Sequence, residues 1–466
     1  MSPPSQVGLL GLGAMGTALG QHVGALGHRV VGYDRCAGCL TNATGPGSPI
    51  EAAADPAAVC AALQPPRILL LMVPAGAAVD WLLDELAGHL GPEDVVIDGG
   101  NSHFQDTQRR VVALADRGEA LIGAGISGGV EGARSGACIM AGGDEVAWQR
   151  VAPLLRALAA EVDGEPCAAH LGPDGAGHFV KLVHNGIEYA EMQLLAECYL
   201  LLKQVEQLGD PAMVERLARW NEGANRSFLL ELTADILTRT DPHSGAPVLD
   251  VIRDVARHKG TGRWAATAAI DLGVAAPTLV EAVAVRAQSE GEVARRVLDG
   301  RLRPRPTATA KDQPLHGLAA ALLAARIAVH VQGFDLLAAG SRAHLWHLDL
   351  PAVARLWRGG CIIRSALLEP VAEASTAKPA EGGMLGHAAL AEPLATAVPA
   401  LRAVVARAVQ AGVPVPCLAS ALTWLDGAHT GRLSANLIQA QRDAFGAHGL
   451  ARTDRPGRFH LDGSED

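Results

Sequence analysis

Lys181, His184, Asn185 and Glu188 stand at i, i+3, i+4 and i+7 in the run Gly175-Ala176-Gly177-His178-Phe179-Val180-Lys181-Leu182-Val183-His184-Asn185-Gly186-Ile187-Glu188-Tyr189. On a helix this spacing puts all of them on one face. At about 1.5 Å of rise per residue, Lys181 and Glu188 lie about 10 Å apart along the axis, enough to bracket a small substrate. The set joins an amine, an imidazole, an amide and a carboxylate, groups that bind polar substrates and carry protons. The alternative is a solvated polar stripe with a Glu-Lys contact. Against it, the mixture is uncommon, follows two glycines, and begins where a nucleotide-binding pattern ends.

That pattern opens the chain. Gly11-Leu12-Gly13-Ala14-Met15-Gly16 follows a strand-like apolar run and starts a helical one. Gly13 lets the backbone approach a pyrophosphate, and the helix start offers free N–H groups and positive partial charge. Asp34, followed by Arg35, ends the next strand, where an acidic residue meets a ribose hydroxyl. A Gly-x-Gly-x-x-Gly alone is weak in a chain with 53 glycines. Strand, turn, helix and acidic residue together predict a dinucleotide site, with a tight turn as the alternative. Further strand ends supply Met72-Val73-Pro74-Ala75-Gly76 and Asp98-Gly99-Gly100-Asn101-Ser102 as loops facing the cofactor, so Val73, Pro74, Ala75 and Asn101 join the candidates.

The elements that position these groups follow from the apolar pattern. Strand candidates at 7–10, 29–33, 68–73, 95–98 and 120–123 alternate with helical runs, which predicts a doubly wound parallel α/β sheet of Rossmann type. Beyond residue 171 long Ala/Leu-rich helical patterns continue to about 430, punctuated by Gly and Pro. The expected organisation is a dinucleotide-binding domain at 1–174, a large all-α domain at 175–433 and a C-terminal tail at 434–466 that must dock on something. At 466 residues, two large domains are the natural expectation.

Composition narrows the class. Hydrophobic residues make up 49%, charged residues 19% and aromatics 3%, so cores of Ala, Leu and Val are expected. A net charge of -10 with scattered basic residues argues against nucleic-acid or membrane-surface binding. The most apolar stretch, near 318–331, contains Arg326 and His330 and reads as too short and too polar to span a bilayer. Eight cysteines without framework spacing indicate a reducing cytoplasm. Cys36 and Cys39 have Cys-x-x-Cys spacing without a second pair or nearby His, so no metal site is expected.

Six blocks carry a family resemblance: 97–102, Ile126-Ser127-Gly128-Gly129, 175–189, Lys259-Gly260-Thr261-Gly262-Arg263-Trp264, Gly359-Gly360-Cys361-Ile362-Ile363-Arg364, and Gln439-Ala440-Gln441-Arg442-Asp443-Ala444-Phe445-Gly446-Ala447-His448. On them the chain resembles the 6-phosphogluconate dehydrogenases of the long, homodimeric form. The resemblance implies a cytoplasmic enzyme that oxidises and decarboxylates 6-phosphogluconate with NADP or NAD and without metal. It makes Lys181 the base for the C3 hydroxyl and, once protonated, the group that polarises the 3-keto intermediate. It makes Glu188 the acid that protonates C1 of the enediol. His184 and Asn185 orient the sugar, and Asn101, Ser127, Gly128 and Gly129 hold the carboxylate end. Tyr189, Lys259, Thr261, Arg286, Arg442 and His448 receive the phosphate, the last two from the tail of the neighbouring subunit.

Some positions depart from the family pattern. Val130 replaces a glutamate in the substrate loop. Asp34-Arg35 and Pro74 stand where NADP-using members carry Asn-Arg and a lysine, which leans the expectation towards NAD. Cys138 and Ala141 replace serine and proline, with local packing effects expected. Two alternatives stay open: another β-hydroxyacid dehydrogenase with a smaller acid, which has no use for the phosphate set, and a catalytically silent paralogue acting as a binding protein.

Overall fold

Short strands of consecutive apolar residues, buried on both faces, build a mostly parallel sheet. In the computed structural model, which describes residues 6–257, 260–302 and 315–464, β1 (Gln6–Leu10) lies between β2 (Arg29–Tyr33) and β4 (Ile68–Leu71), parallel to both. β3 (Ile50–Ala52) extends the sheet beyond β2. On the other side follow β5 (Val95–Asp98), β6 (Ala120–Ser127), β7 (Cys138–Gly143) and β10 (Ala168–His170). Between them β8 (Glu161–Val162) and β9 (Glu165–Pro166) form a separate hairpin. The sheet order is β10-β7-β6-β5-β4-β1-β2-β3, so the chain reverses its winding between β1 and β4. Open α/β sheets bind ligands at such a switch point.

The five expected strands are present, and β6 runs on to Ser127, four residues past its expected end. β3 and β7 to β10 were not anticipated. Cys-Ile-Met-Ala-Gly-Gly at 138–143 shows no alternation of apolar and polar residues, yet it pairs antiparallel with β6, Gly142 opposite Gly123. Val7, Leu9, Leu70, Ile97 and Ile122 face one apolar cluster and Leu10, Leu69, Leu71 and Val96 the other, the two cores of a doubly wound sheet.

Helices take over at Ala176–Gln204, whose 29 residues contain no proline. This helix packs against Leu318–His344, Thr261–Asp271 and Pro277–Ser289. Arg326 Nε donates to both carboxylate oxygens of Glu191 at 2.9 Å, a buried pair joining the two long helices. Leu318–His344 is long and apolar enough to cross a membrane, longer than the stretch expected from sequence, but 83% of its most apolar window is buried, the setting of a core helix. Ala388–Ala411 has the same mean hydropathy of 1.4 with only 28% of its window buried.

The chain divides into two compact units, Met1–Ala421 and Leu422–Asp466. The second is tied by Asp443, which accepts the Gly449 amide, the Leu461 amide and contacts His460 Nδ1, each at 2.8 Å. Its helix Ala435–Gly446 leaves Leu437, Ile438 and Phe445 exposed.

Candidate active site

At the switch point, Gly11 turns with φ of 101° and Gly13 caps the helix Ala14–Ala25. A side chain at Gly16 would collide with the Gly11 carbonyl, whereas the space in front of Gly13 is open. No side chain caps this helix and no acidic residue occupies its first turn, so the amides of Ala14, Met15 and Gly16 remain free for a ligand. A cavity of about 440 Å³ opens beside them, lined by Gly11, Gly13, Tyr33, Asp34, Arg35, Val73, Pro74 and Trp81 among others. This arrangement fits a dinucleotide. Asp34 accepts the Leu12 amide through Oδ2 at 2.6 Å and the Cys36 amide through Oδ1 at 2.7 Å. Arg35 is exposed, and no ion pair joins it to Asp34 among the described residues. Tyr33 and Trp81 were not singled out from sequence, because a pocket wall carries no motif. Ala75 lies exposed in the same loop, and Asn101 is exposed at the carboxyl end of β5.

The helix Ala176–Gln204 does present the expected face. Lys181 is 6% exposed and donates to Asn185 Oδ1 at 2.7 Å. Its Nζ stands 3.5 Å from His184 Nδ1. His184 is fully buried, with Nε2 3.2 Å from Ser127 Oγ and its ring edge-on to Trp357 at 5.5 Å. Glu188 Oε2 lies 3.7 Å from His184 Nδ1. Burial sets the protonation of all three. It pushes the Lys181 amine below the ordinary 10.5, against the attraction of Glu188. It holds His184 well below 6.5, with help from the Lys181 charge. It raises the Glu188 carboxyl above 4.5, against Lys181 and Arg286. The stripe is therefore neither solvated nor a simple Glu-Lys contact, and His184, contacting Ser127 through Nε2, faces Lys181 and Asn185 with Nδ1.

Two close approaches bring this helix to the sheet. A Cβ on Gly125 would lie 2.3 Å from the Lys181 Cβ, and one on Gly177 2.4 Å from the Met140 carbonyl. Glycine at both positions is what lets the amine reach the carboxyl end of β6. Ser127 ends that strand, and Gly128, at φ of 113°, and Gly129 open the next helix beside it. Val130 on that helix is 39% exposed, so it replaces a charge without filling a core. Among the described residues, the one metal-competent group is Asp34, Cys36 and Cys39; Asp34 is a neighbour the sequence spacing did not reveal.

Of the expected phosphate residues, Arg286 lies over the Tyr189 ring at 3.4 Å, and burial lowers the pKa of its guanidinium. Gly262 admits Tyr189 to this position, next to Thr261 at the start of its helix. Lys259 lies outside the described residues. Arg442 and His448 belong to the second unit and are exposed there; Arg442 donates to Gln439 Oε1 at 3.2 Å.

Comparison with known proteins identifies the family. The profile described as the NAD binding domain of 6-phosphogluconate dehydrogenase matches residues 6–172, and that of the 6-phosphogluconate dehydrogenase C-terminal domain matches 177–463. The NADP(+)-dependent, decarboxylating 6-phosphogluconate dehydrogenase of Bacillus subtilis is 42% identical over 462 residues, covering 98% of each chain. The decarboxylating enzyme of Candida albicans is 41% identical over 454 residues, covering 95% of this chain and 87% of its own. The Plasmodium falciparum 6-phosphogluconate dehydrogenase, solved in its apo form and in complex with its cofactor NADP+ and its substrate 6-phosphogluconate, superposes with a TM-score of 0.92 at 32% identity, over 98% of this chain and 99% of its own. With both halves matched and the shared fold running end to end, the chain belongs to the 6-phosphogluconate dehydrogenase family.

Proposed function

We propose that this protein oxidises and decarboxylates 6-phosphogluconate to ribulose 5-phosphate and carbon dioxide, using NAD or NADP. The observation that carries the reading is the buried Lys181 amine, hydrogen-bonded to Asn185 and flanked by a Glu188 whose carboxyl is shifted the opposite way. One cause, burial, gives the same helix face a base and an acid.

A nicotinamide dinucleotide held at the glycine turn 11–16 and beside Asp34 would take up the hydride from C3 of the sugar acid. Lys181, with its ammonium form disfavoured, takes the C3 hydroxyl proton, while Asn185 fixes the direction of its lone pair. The protonated Lys181 then polarises the new C3 carbonyl as the carboxylate leaves, an electrophilic role that needs no metal. Glu188, whose carboxyl burial shifts towards the protonated form, delivers the proton to C1 of the enediol. Arg286, lying over the Tyr189 ring, presents its fork to the phosphate together with Thr261 and, as the family resemblance implies, Lys259. Ser127, Gly128, Gly129 and Asn101 meet the carboxylate end.

Coenzyme choice rests on Asp34 and Arg35. The carboxylate favours the free ribose hydroxyls of NAD, and the unpaired Arg35 offers a cation for the 2′-phosphate of NADP. We place NAD at least level with NADP. The family's dimer suits this chain: the tail helix leaves Leu437, Ile438 and Phe445 exposed. In this reading Arg442 and His448 complete the partner's phosphate site, and the enzyme works in the cytoplasm. Steady-state rates with 6-phosphogluconate and gluconate, each with NAD and NADP and after dialysis against a chelator, test the proposal. Equal rates with both acids would overturn the phosphate assignment, and loss of rate on chelation the metal-free one.

A further inference from the structure

Cys36 and Cys39 carry chemistry that this reaction leaves unused. Cys36 precedes the short helix Ala37–Ala43, and its sulfur accepts the Cys39 amide at 3.2 Å. That turn brings Cys39 Sγ to 2.6 Å from Cys36 Sγ, both being free thiols. Cys36 is exposed and Cys39 half-buried, whereas Cys60, Cys138, Cys167, Cys198, Cys361 and Cys417 are all buried. The pair therefore sits where a reagent can reach it, directly after Tyr33, Asp34 and Arg35 of the cavity wall.

Two kinds of occupancy suit such a pair: a thiophilic metal between the sulfurs, or a bond between them. Asp34 adds a carboxylate within 4.8 Å of both, a three-ligand group. Distance decides between the two. Thiolates on one tetrahedral zinc, each at about 2.3 Å, stand about 3.8 Å apart, so these sulfurs would have to separate by about 1.2 Å. A disulfide needs about 2.05 Å, a closure of about 0.6 Å within reach of small χ1 adjustments. Both Asp34 oxygens, moreover, already accept backbone amides. We infer that Cys36 and Cys39 form a reversible dithiol–disulfide site at the rim of the coenzyme cavity, oxidised by small organic disulfides and restored by small thiols.

The exchange balances as follows. The Cys36 thiolate attacks one sulfur of the reagent disulfide, whose S–S bond breaks; one reagent thiolate leaves and takes a proton. Cys39, after giving up its proton, attacks Cys36 Sγ and displaces the second reagent thiolate, closing the Cys36–Cys39 bond. Two protein thiols thus lose two electrons and two protons, and one reagent disulfide becomes two thiols. The order follows from exposure. It agrees with the protonation of the pair: the Cys39 thiol and amide hold Cys36 below the usual thiol range, while hydrogen bonding to Cys36 raises Cys39.

The consequence for coenzyme rests on the functional reading above. Adenosine bound over Asp34 and Arg35 shields the pair, and the closed disulfide stiffens the turn that follows them. The test treats the full-length protein with oxidised glutathione, blocks remaining thiols with iodoacetamide and maps the peptides by mass spectrometry. Wild type is expected to lose two hydrogens at Cys36 and Cys39, retain no glutathione, and recover with dithiothreitol. C39S is expected to trap one glutathione on Cys36, and C36S to react at least tenfold more slowly. A persistent adduct on wild type, a disulfide elsewhere, or tight retention of added zinc that blocks the oxidation would overturn the site. Saturating coenzyme is expected to slow closure several-fold. A disulfide that forms at an unchanged rate with coenzyme present supports the site and overturns the placement of the coenzyme instead.

Discussion

The Asp34 carboxylate reaches from the end of β2 to the Leu12 amide in the turn after β1, at 2.6 Å. The residue read as a ribose ligand is thus also a strut of the glycine turn, with its second oxygen spent on Cys36. An asparagine keeps one acceptor and turns an N–H₂ towards the other donor. Asp34→Asn is therefore expected to raise the KM for both coenzymes while removing a charge that opposes a 2′-phosphate. That repulsion is roughly 1 kcal/mol at about 4 Å in water and about 4 kcal/mol at an effective dielectric near 20. The ratio of kcat/KM for NADP over NAD should rise about tenfold, or about 1.4 kcal/mol. An unchanged ratio, measured side by side, would leave Asp34 a turn residue alone.

Lys181→Met should lower kcat by roughly 10² to 10⁴-fold with the KM for 6-phosphogluconate changed little, because the phosphate anchors stay in place. In the wild type the oxidation step should quicken with rising pH as Lys181 loses its proton, with the limb lying below the ordinary lysine value of 10.5. A pH series of single-turnover rates checks both statements, and a methionine variant with near-normal turnover would remove Lys181 as the base.

Glu188→Gln acts later. Burial raises the Glu188 carboxyl above 4.5, so its donatable proton is present below that raised value and lost as the pH climbs through it. The variant should still produce reduced coenzyme in a first burst while steady-state release of ribulose 5-phosphate falls at least tenfold. Burst and steady state reduced alike would argue for a role in oxidation.

Arg442→Ala, or truncation before Ser434, should raise the KM for the sugar phosphate much more than that for coenzyme. A charge-assisted phosphate contact contributes about 1.5 to 3 kcal/mol, or roughly 10 to 150-fold. Mixing Arg442→Ala chains with Lys181→Met chains offers a sharper readout. Hybrid dimers with one intact composite site regain activity only if the tail serves its neighbour.

Glu197 predicts a stability effect away from the site. Its carboxylate accepts the Cys417 and Leu418 amides at 2.9 Å, yet burial lifts its pKa from 4.5 to about 7. The folded protein thus holds this proton more tightly than the unfolded chain. The stabilisation is fully present below about pH 4.5 and fades as the pH rises through about 7, by at most about 3 kcal/mol. Thermal unfolding of wild type between about pH 5 and pH 8 should show a decline that Glu197→Gln flattens. Parallel curves would mean that Glu197 stays ionised throughout.

Much of this was legible because it is local. The 3.6-residue period alone put Lys181, His184, Asn185 and Glu188 on one face, and the glycine turn with Asp34 located the cofactor cavity. What escaped depends on tertiary neighbours. β7 hid because a strand of small residues has no alternation to read, and its glycines matter only once the helix at Gly177 lies against it. The packing of His184 against Trp357 and Ser127 and the Asp34–Leu12 bond join residues that no motif couples. Asp34 completes the Cys36–Cys39 group only in three dimensions.

The close approach of Gly177 to the Met140 carbonyl and of Gly125 to the Lys181 side chain bears on how such an enzyme can move. Close-packed interiors leave few voids into which either layer could shift. The base-bearing helix therefore has little room to shift against β6 and β7, and it belongs to the same compact unit as the sheet. On the proposed function, this packing holds the base at a fixed distance from the coenzyme cavity, and closing motion during turnover is expected from other elements.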